Sequence, residues 1–284
     1  MSDDSRDRLG GREDLIGRWS IEKLHLLKKY LSAYVKILSH QRWCKGYEYI
    51  DAFAGTGKPR TRDEQLYVDG SPRVALSLTP PFTQYHFIEQ SDWRIGKLET
   101  VRKEFPNLNI AVYHGDCNRV LQEQILPQLP TAAYKRAIAF IDPFGMSMHW
   151  DTMKILAGLG TVEAFINVPV MAVNRSVLKK NPEAITEQDR GRMERFWGGG
   201  DWFATFYKEE PTLFGPERNK TLRSGLEFGL QYRKRLMKIF SHCTEPILMT
   251  NSVSTPLYCI LFAGHNPTGV RIAGDIFKRH LAQR

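Results

Sequence analysis

Four apolar stretches of this chain run directly into a carboxylate, and that recurrence limits the fold more than any other feature. Residues 47–50 lead into Asp51, 84–88 into Glu89, 109–114 into Gly115-Asp116, and 137–141 into Asp142. Aromatic and β-branched residues fill these stretches, as they do in strands. Amphipathic helical patterns separate them, and alternating strand and helix patterns point to a mainly parallel sheet covered on both faces. Ligands of such sheets bind outside the carboxyl ends of the strands, where these acids fall.

The first of these strands ends in Asp51-Ala52-Phe53-Ala54-Gly55-Thr56-Gly57. Gly55 and Gly57 supply backbone freedom and leave no side chain between main chain and ligand. A phosphate-binding P-loop is excluded, because Ala52 stands where its first glycine belongs and Pro59 follows Lys58. A dinucleotide fingerprint also fails, since Arg60 occupies the place of its third glycine. An acid at the strand end, an aromatic residue and two glycines suit a cofactor with a charged amino-acid part and no pyrophosphate, and S-adenosylmethionine meets that description. Asp51, Phe53, Gly55 and Gly57 would hold its methionine part. An ordinary strand-to-helix turn uses the same glycines, and that reading stays open here.

The other acids extend the pattern. Glu89 can accept both ribose hydroxyls, and Asp116 with the Cys117 backbone can meet an adenine edge, although Gly-Asp is also a plain turn. Asp142-Pro143-Phe144-Gly145 presents a carboxylate, an aromatic face and a flexible residue together, because Pro143 restricts both its own backbone and that of Asp142. This arrangement suits methylation of an amine attached to a ring: the carboxylate accepts from the amine and Phe144 stacks on the ring. The competing assignment makes Asp142 a cap for the helix that begins near Trp150.

Around this frame, residues 1–19 read as a flexible charged tail and 20–284 as a single methyltransferase-like unit. A helix capped by Ser20 carries Ile21, Leu24, Leu27, Tyr30, Leu31, Tyr34, Val35 and Leu38 at helical spacing. Residues 58–69 read as a surface loop over the crevice. Ser71 is expected to cap the helix that follows it, with Pro72 in its first turn. A fifth strand over 163–168 precedes a mostly helical insertion over about 171–245, including a helix from about Lys220 to Phe240. A hairpin over 246–249 and 257–262 completes a seven-stranded sheet, followed by a closing helix. The insertion holds an aromatic cluster of Trp197, Trp202, Phe203, Phe206 and Tyr207, which would mark an interface if exposed. Arg218, Lys220, Arg223, Arg233, Lys234, Arg235 and Lys238 either track phosphates or form a solvated face.

A chain of 284 residues, 42% hydrophobic and 11% aromatic, has ample material for a packed core. No apolar run approaches the roughly 20 residues of a membrane span, and the charged N-terminus is unlike a signal peptide, so a cytoplasmic protein without a membrane partner is expected. Four cysteines without Cys-x-x-Cys spacing indicate neither a zinc site nor a disulfide framework. The net charge of +9 would attract a polyanion, which makes nucleic acid a candidate partner.

In chain order, residues 23–41, Tyr49-Ile50-Asp51-Ala52-Phe53-Ala54-Gly55-Thr56-Gly57, Gly70-Ser71-Pro72, Phe87-Ile88-Glu89, Ile141-Asp142-Pro143-Phe144-Gly145 and Met171-Ala172-Val173-Asn174-Arg175 resemble the three-Cys-motif partner protein family. Thr56 replaces that family's usual proline. The resemblance spans most of the chain and implies an α/β, Rossmann-like class I methyltransferase fold and a protein partner bearing a three-cysteine motif. Residues 142–145 are also similar to the fourth motif of tRNA guanine N2-methyltransferases, which implies an exocyclic amine as methyl acceptor. The reading is therefore an S-adenosylmethionine-dependent methyltransferase acting on a nucleic-acid base. Two alternatives are a non-catalytic partner protein of the same fold and an enzyme whose acceptor is a small molecule or a peptide.

Overall fold

The computed structural model describes residues 15–61, 66–212 and 215–283. The first part of the chain forms β1 (Leu15–Ile16), α1 (Arg18–Ser39), β2 (Gly46–Asp51), β3 (Arg60–Thr61), α2 (Ser71–Leu76), β4 (Gln84–Glu89), α3 (Asp92–Glu104) and β5 (Ile110–His114). Then come α4 (Cys117–Val120), β6 (Lys135–Ile141), α5 (Trp150–Gly158), β7 (Val162–Val168) and α6 (Val170–Ser176). The insertion contributes α7 (Glu187–Trp197), α8 (Trp202–Phe206), β8 (Tyr207–Thr212), β9 (Gly215–Lys220) and α9 (Gly225–Leu236). The chain closes with β10 (His242–Cys243), β11 (Ile247–Thr250), β12 (Pro256–Gly264) and α10 (Pro267–Leu281).

The main sheet has the order β10-β12-β7-β6-β2-β4-β5, with β11 also paired to β12. Strands β5, β4, β2, β6 and β7 are parallel, and β12 lies antiparallel against β7. Seven of these strands are the expected ones, and the two-residue β10 makes eight. The hairpin of β11 and β12 forms as expected. Two hydrophobic clusters cover the sheet: one gathers the buried side chains of α1, α2, α3 and α10, the other those of α4, α5 and the insertion. That covering on both faces explains why residues 162–168 are all buried.

Several local expectations change. Helix α1 starts at Arg18 with Gly17 in extended conformation at its cap and no capping side chain, so Ser20 lies inside the first turn. The cause is pairing of β1 with β3, which holds the chain up to Ile16. Residues 1–14 of the expected tail lie outside the described residues, as do 62–65 of the expected surface loop. The buried face of α1 is Lys23, Leu26, Leu27, Tyr30, Leu31, Tyr34 and Val35, a continuous stripe at spacings of three and four. Ile21 falls off it and is 41% exposed. Ser71 is not the cap of α2 either: Gly70 holds that place, and the Ser71 hydroxyl bonds the Asp51 carboxylate.

The insertion is less helical than its pattern suggests. Residues 207–212 and 215–220 pair as the antiparallel strands β8 and β9, and the helix expected from Lys220 is confined to α9. Its aromatic residues face inward. Trp197 and Phe206 meet edge to face at 5.1 Å, Phe196 stacks on Tyr232 at 5.0 Å, and Trp202 and Phe206 are each 1% exposed. Aromatic burial of this kind is core, which removes the observation that motivated an exposed docking surface.

Candidate active site

The glycine turn leaves the carboxyl end of β2 between its two neighbouring strands. The Ala52 N–H donates to the Phe140 carbonyl of β6 at 3.0 Å, and the Ala54 N–H to the Ile88 carbonyl of β4 at 2.9 Å. Gly55 and Gly57 have φ of 62° and 73°, a left-handed conformation that side chains other than glycine resist. Gly57 also accepts the Gly70 N–H at 3.0 Å, which brings the start of α2 against the turn.

Asp51 stands behind the turn. It is fully buried, accepting from the Tyr49 hydroxyl at 3.1 Å, the Phe53 N–H at 3.4 Å and the Ser71 hydroxyl. Burial pushes its carboxyl up to about 7, against the opposing pull of those donors. Glu89 closes the turn from the next strand: one oxygen accepts the Gly55 N–H at 3.0 Å and the other accepts the N–H groups of Gln90 at 2.8 Å and Ser91 at 2.9 Å. Oε1 is filled by two N–H groups, whereas Oε2 has taken one and keeps a lone pair with which Glu89 can accept a hydroxyl. Phe53 packs partly against the core beside it.

Asp116 is exposed and caps α4, with Oδ1 accepting from the Asn118 N–H at 3.0 Å and the Arg119 N–H at 3.1 Å. Cys117 is buried, and burial raises its thiol. Only its backbone can face a ligand.

The sequence reading missed the two partners of Asp142. Lys23 of α1 forms an ion pair with Oδ2, and the side-chain amide of Asn167 on β7 donates to Oδ1. The Lys23 ammonium also lies 5.2 Å from the ring centre of Tyr258 and 5.9 Å from that of Phe140. A sequence signal existed, because Lys23 lies in phase with Leu26, Leu27 and Tyr30 on the inward stripe. Pro143 is buried, Gly145 has φ of 61°, and Phe144 is 74% exposed. Asp142 does not cap α5, whose cap position is His149.

The structure thus brings Asp51, Glu89, Asp116 and Asp142 to one edge of adjacent parallel strands. It separates their roles. Asp51 is sealed inside, Glu89 and Asp116 are tied to backbone with acceptor capacity left, and Asp142 is held by a cation and an amide beside an exposed ring. Glycines in left-handed conformation and residual acceptors at this edge fit S-adenosylmethionine.

No protein-family model matches the sequence, and no curated protein does. Among solved structures, protein LPL1258 from Legionella pneumophila aligns with a TM-score of 0.54 and 15% identity over 91% of each chain. TYW2 of M. jannaschii, solved in complex with AdoMet, aligns at 0.36 and 11% identity over 92% of this chain and 78% of that one. Precorrin-6y C5,15-methyltransferase from Geobacter metallireducens aligns at 0.33 and 11% identity, over 82% and 86%. The fold is Rossmann-like class I methyltransferase, with its antiparallel strand β12 set between β7 and β11. No helix among the described residues is long and apolar enough to cross a membrane.

Proposed function

We propose that this chain is an S-adenosylmethionine-dependent methyltransferase that methylates an exocyclic amine of a nucleic-acid base. The observation that carries this reading is the exposed Phe144 ring beside the anchored Asp142 carboxylate, at the end of the strand paired with β2 and its glycine turn. When bound, the cofactor supplies an electrophilic methyl group on a sulfonium. Gly55 and Gly57 admit its amino-acid part, Glu89 accepts from its ribose hydroxyls, and Asp116 and the Cys117 backbone meet its adenine.

Phe144 stacks on the incoming base and sets the plane of the amine. Lys23 and Asn167 fix the Asp142 carboxylate, whose remaining lone pairs accept an amine N–H and turn the nitrogen lone pair toward the methyl carbon. The bound cofactor would supply the methyl group, and Asp142 would hold the amine by its N–H, so that the proton released after transfer could pass to solvent. Most of the acceleration comes from holding donor and acceptor in line, and a smaller part from Asp142.

Nucleic acid is favoured by a groove of about 420 Å³ beside Thr56, lined by Lys58, Arg60, Tyr67, Trp93 and Lys97, with Arg73 paired to Glu104 in its wall. Basic and aromatic side chains side by side suit a single strand. The basic run of the insertion supports it less, because much of that run is used internally. Arg235 pairs with Asp201 at 2.7 Å and lies over Trp197 and Trp150, while Lys220 donates to Asn174 and the Leu178 carbonyl.

The hold of Lys23 and Asn167 on Asp142 favours a second reading, a non-catalytic member of the three-Cys-motif partner family that docks a three-cysteine protein. The variant Asp142→Ala decides between them. The enzyme reading expects unchanged affinity for S-adenosylmethionine by calorimetry and at least a hundredfold loss of methyl transfer to RNA or DNA. Wild-type protein that binds no S-adenosylmethionine or transfers no methyl group would favour the partner reading.

A further inference from the structure

Glu163 is a carboxylate on a strand with no exposed residue, and no cation pairs with it among the described residues. Its side chain reaches the face covered by α1 and α10. There Oε2 accepts the Tyr30 hydroxyl at 2.7 Å, and no donor among the described residues meets Oε1. Two glycines make room for it: a Cβ at Gly264 would approach its Cγ to 3.1 Å, and one at Gly269 would overlap Oε1. Burying an unpaired acid costs several kcal/mol in order of magnitude, so a packed core gains nothing by keeping one.

The acid is 9% exposed, and it lines a cavity of about 320 Å³ between the C-terminal half of α1 and the start of α10. The lining combines Tyr34, whose buried hydroxyl has no hydrogen-bond partner, with Ile37, Leu38, Trp43 and Arg136. The Arg136 guanidinium stacks 4.6 Å above the Trp43 ring and donates once, to the Lys135 carbonyl at 2.7 Å. Arg136 and Glu163 form no ion pair, although the arginine charge is felt at the acid. His265, also in the lining, has both ring nitrogens engaged, with Ser241 and the Ala157 carbonyl. Opposite charges held apart across an aromatic and aliphatic hollow are complementary to a ligand carrying the same two charges reversed.

We propose that this cavity binds a small zwitterion with an apolar or aromatic body, the chemistry of a free apolar α-amino acid. Its ammonium meets Oε1 of Glu163, its carboxylate meets Arg136, and its side chain lies against Trp43, Ile37 and Leu38. The site is distinct from the candidate methyl-transfer crevice: Glu163 is near the amino end of β7, and Asn167, which holds Asp142, lies four residues further along the same strand. Its existence does not depend on the proposed activity.

Calorimetry of the full chain with L-phenylalanine tests it. Saturable binding is expected, weakened at least tenfold in both Glu163→Gln and Arg136→Met. Phenethylamine, which lacks the carboxylate, is expected to bind weakly and to ignore Arg136→Met, and 3-phenylpropionate to ignore Glu163→Gln. Affinity for L-phenylalanine should rise from about pH 6 to about pH 8 as Glu163 ionises among Tyr30, Tyr34, Arg136 and His265. Arg136→Met keeps an apolar stem on Trp43, and if Glu163→Gln does not fold, that variant and the two analogues decide alone. Absence of saturation at millimolar L-phenylalanine, or equal affinity in wild type and Arg136→Met, overturns the proposal.

Discussion

Asp51 and Glu163 are acids placed where ordinary packing would put apolar side chains, and burial pushes each up to about 7. An unfolded carboxyl titrates near 4, so between about pH 4 and pH 7 the folded chain holds more protons than the unfolded one. Each acid therefore costs stability as pH rises through that window, and the cost is complete above it. Replacing Glu163 with Gln removes one contribution while leaving an acceptor for Tyr30. The expected result is a variant about as stable as the parent near pH 4 and more stable by about 1–3 kcal/mol near pH 8. Urea unfolding at the two pH values measures the difference, and a gain independent of pH would contradict the assignment of the shift to Glu163. Asp51 differs in having three donors around it, which explains why a buried acid can serve as the rear support of the turn.

Helix α1 is the element that links the two ends of the sheet. Lys23 reaches Asp142 at the carboxyl edge, and Tyr30, two helical turns later, reaches Glu163. The residues between them, Leu26 and Leu27, are fully buried, so the helix has little freedom to slide. Replacing Lys23 with Met would preserve the length of the stem and remove the charge, leaving Asp142 with Asn167 alone. Because the Asp142 side chain is 27% exposed, the loss should fall below that of a fully buried pair, at about 2 kcal/mol. Urea unfolding of the variant checks this, and no change in midpoint would show that water replaces the ammonium at no cost. The insertion illustrates the opposite case: the aromatic cluster from Trp197 to Tyr207 would have marked an interface if exposed, yet Trp197 and Phe206 are buried against Phe228 and Tyr232 of α9.

At the scale of the molecule, the net charge of +9 is unevenly available. Arg235, Arg233 and Lys220 are occupied by internal acceptors, whereas Lys58 and Lys97 line the groove beside the glycine turn, in cation–π contact with Tyr67 and Trp93. If that groove follows a single strand, removing both charges in Lys58→Gln/Lys97→Gln should reduce the slope of log K against log salt by about 1.4, at roughly 0.7 per phosphate contact. Fluorescence titration with a labelled oligonucleotide over a salt series measures it. An unchanged slope would place the polyanion elsewhere. Affinity for S-adenosylmethionine should stay constant in the same variant, which separates a failure of the groove from a failure of the fold.

Strand positions, their parallel order and the edge that carries the acids were legible in the sequence, because continuous apolar runs and glycine turns are local properties with local causes. The glycine turn, the acids that end the strands and the C-terminal hairpin all depend on residues within a few positions of one another. The roles of those acids were not legible. Whether a carboxylate is sealed, tied to backbone or paired depends on partners 20 to 119 positions away: Ser71 for Asp51, Gly55 for Glu89, and Lys23 and Asn167 for Asp142. The same holds for Glu163, an unremarkable second residue of a strand until Tyr30, Gly264 and Gly269 surround it. Periodicity reports which face of an element turns inward, and only the packed structure decides what that face meets.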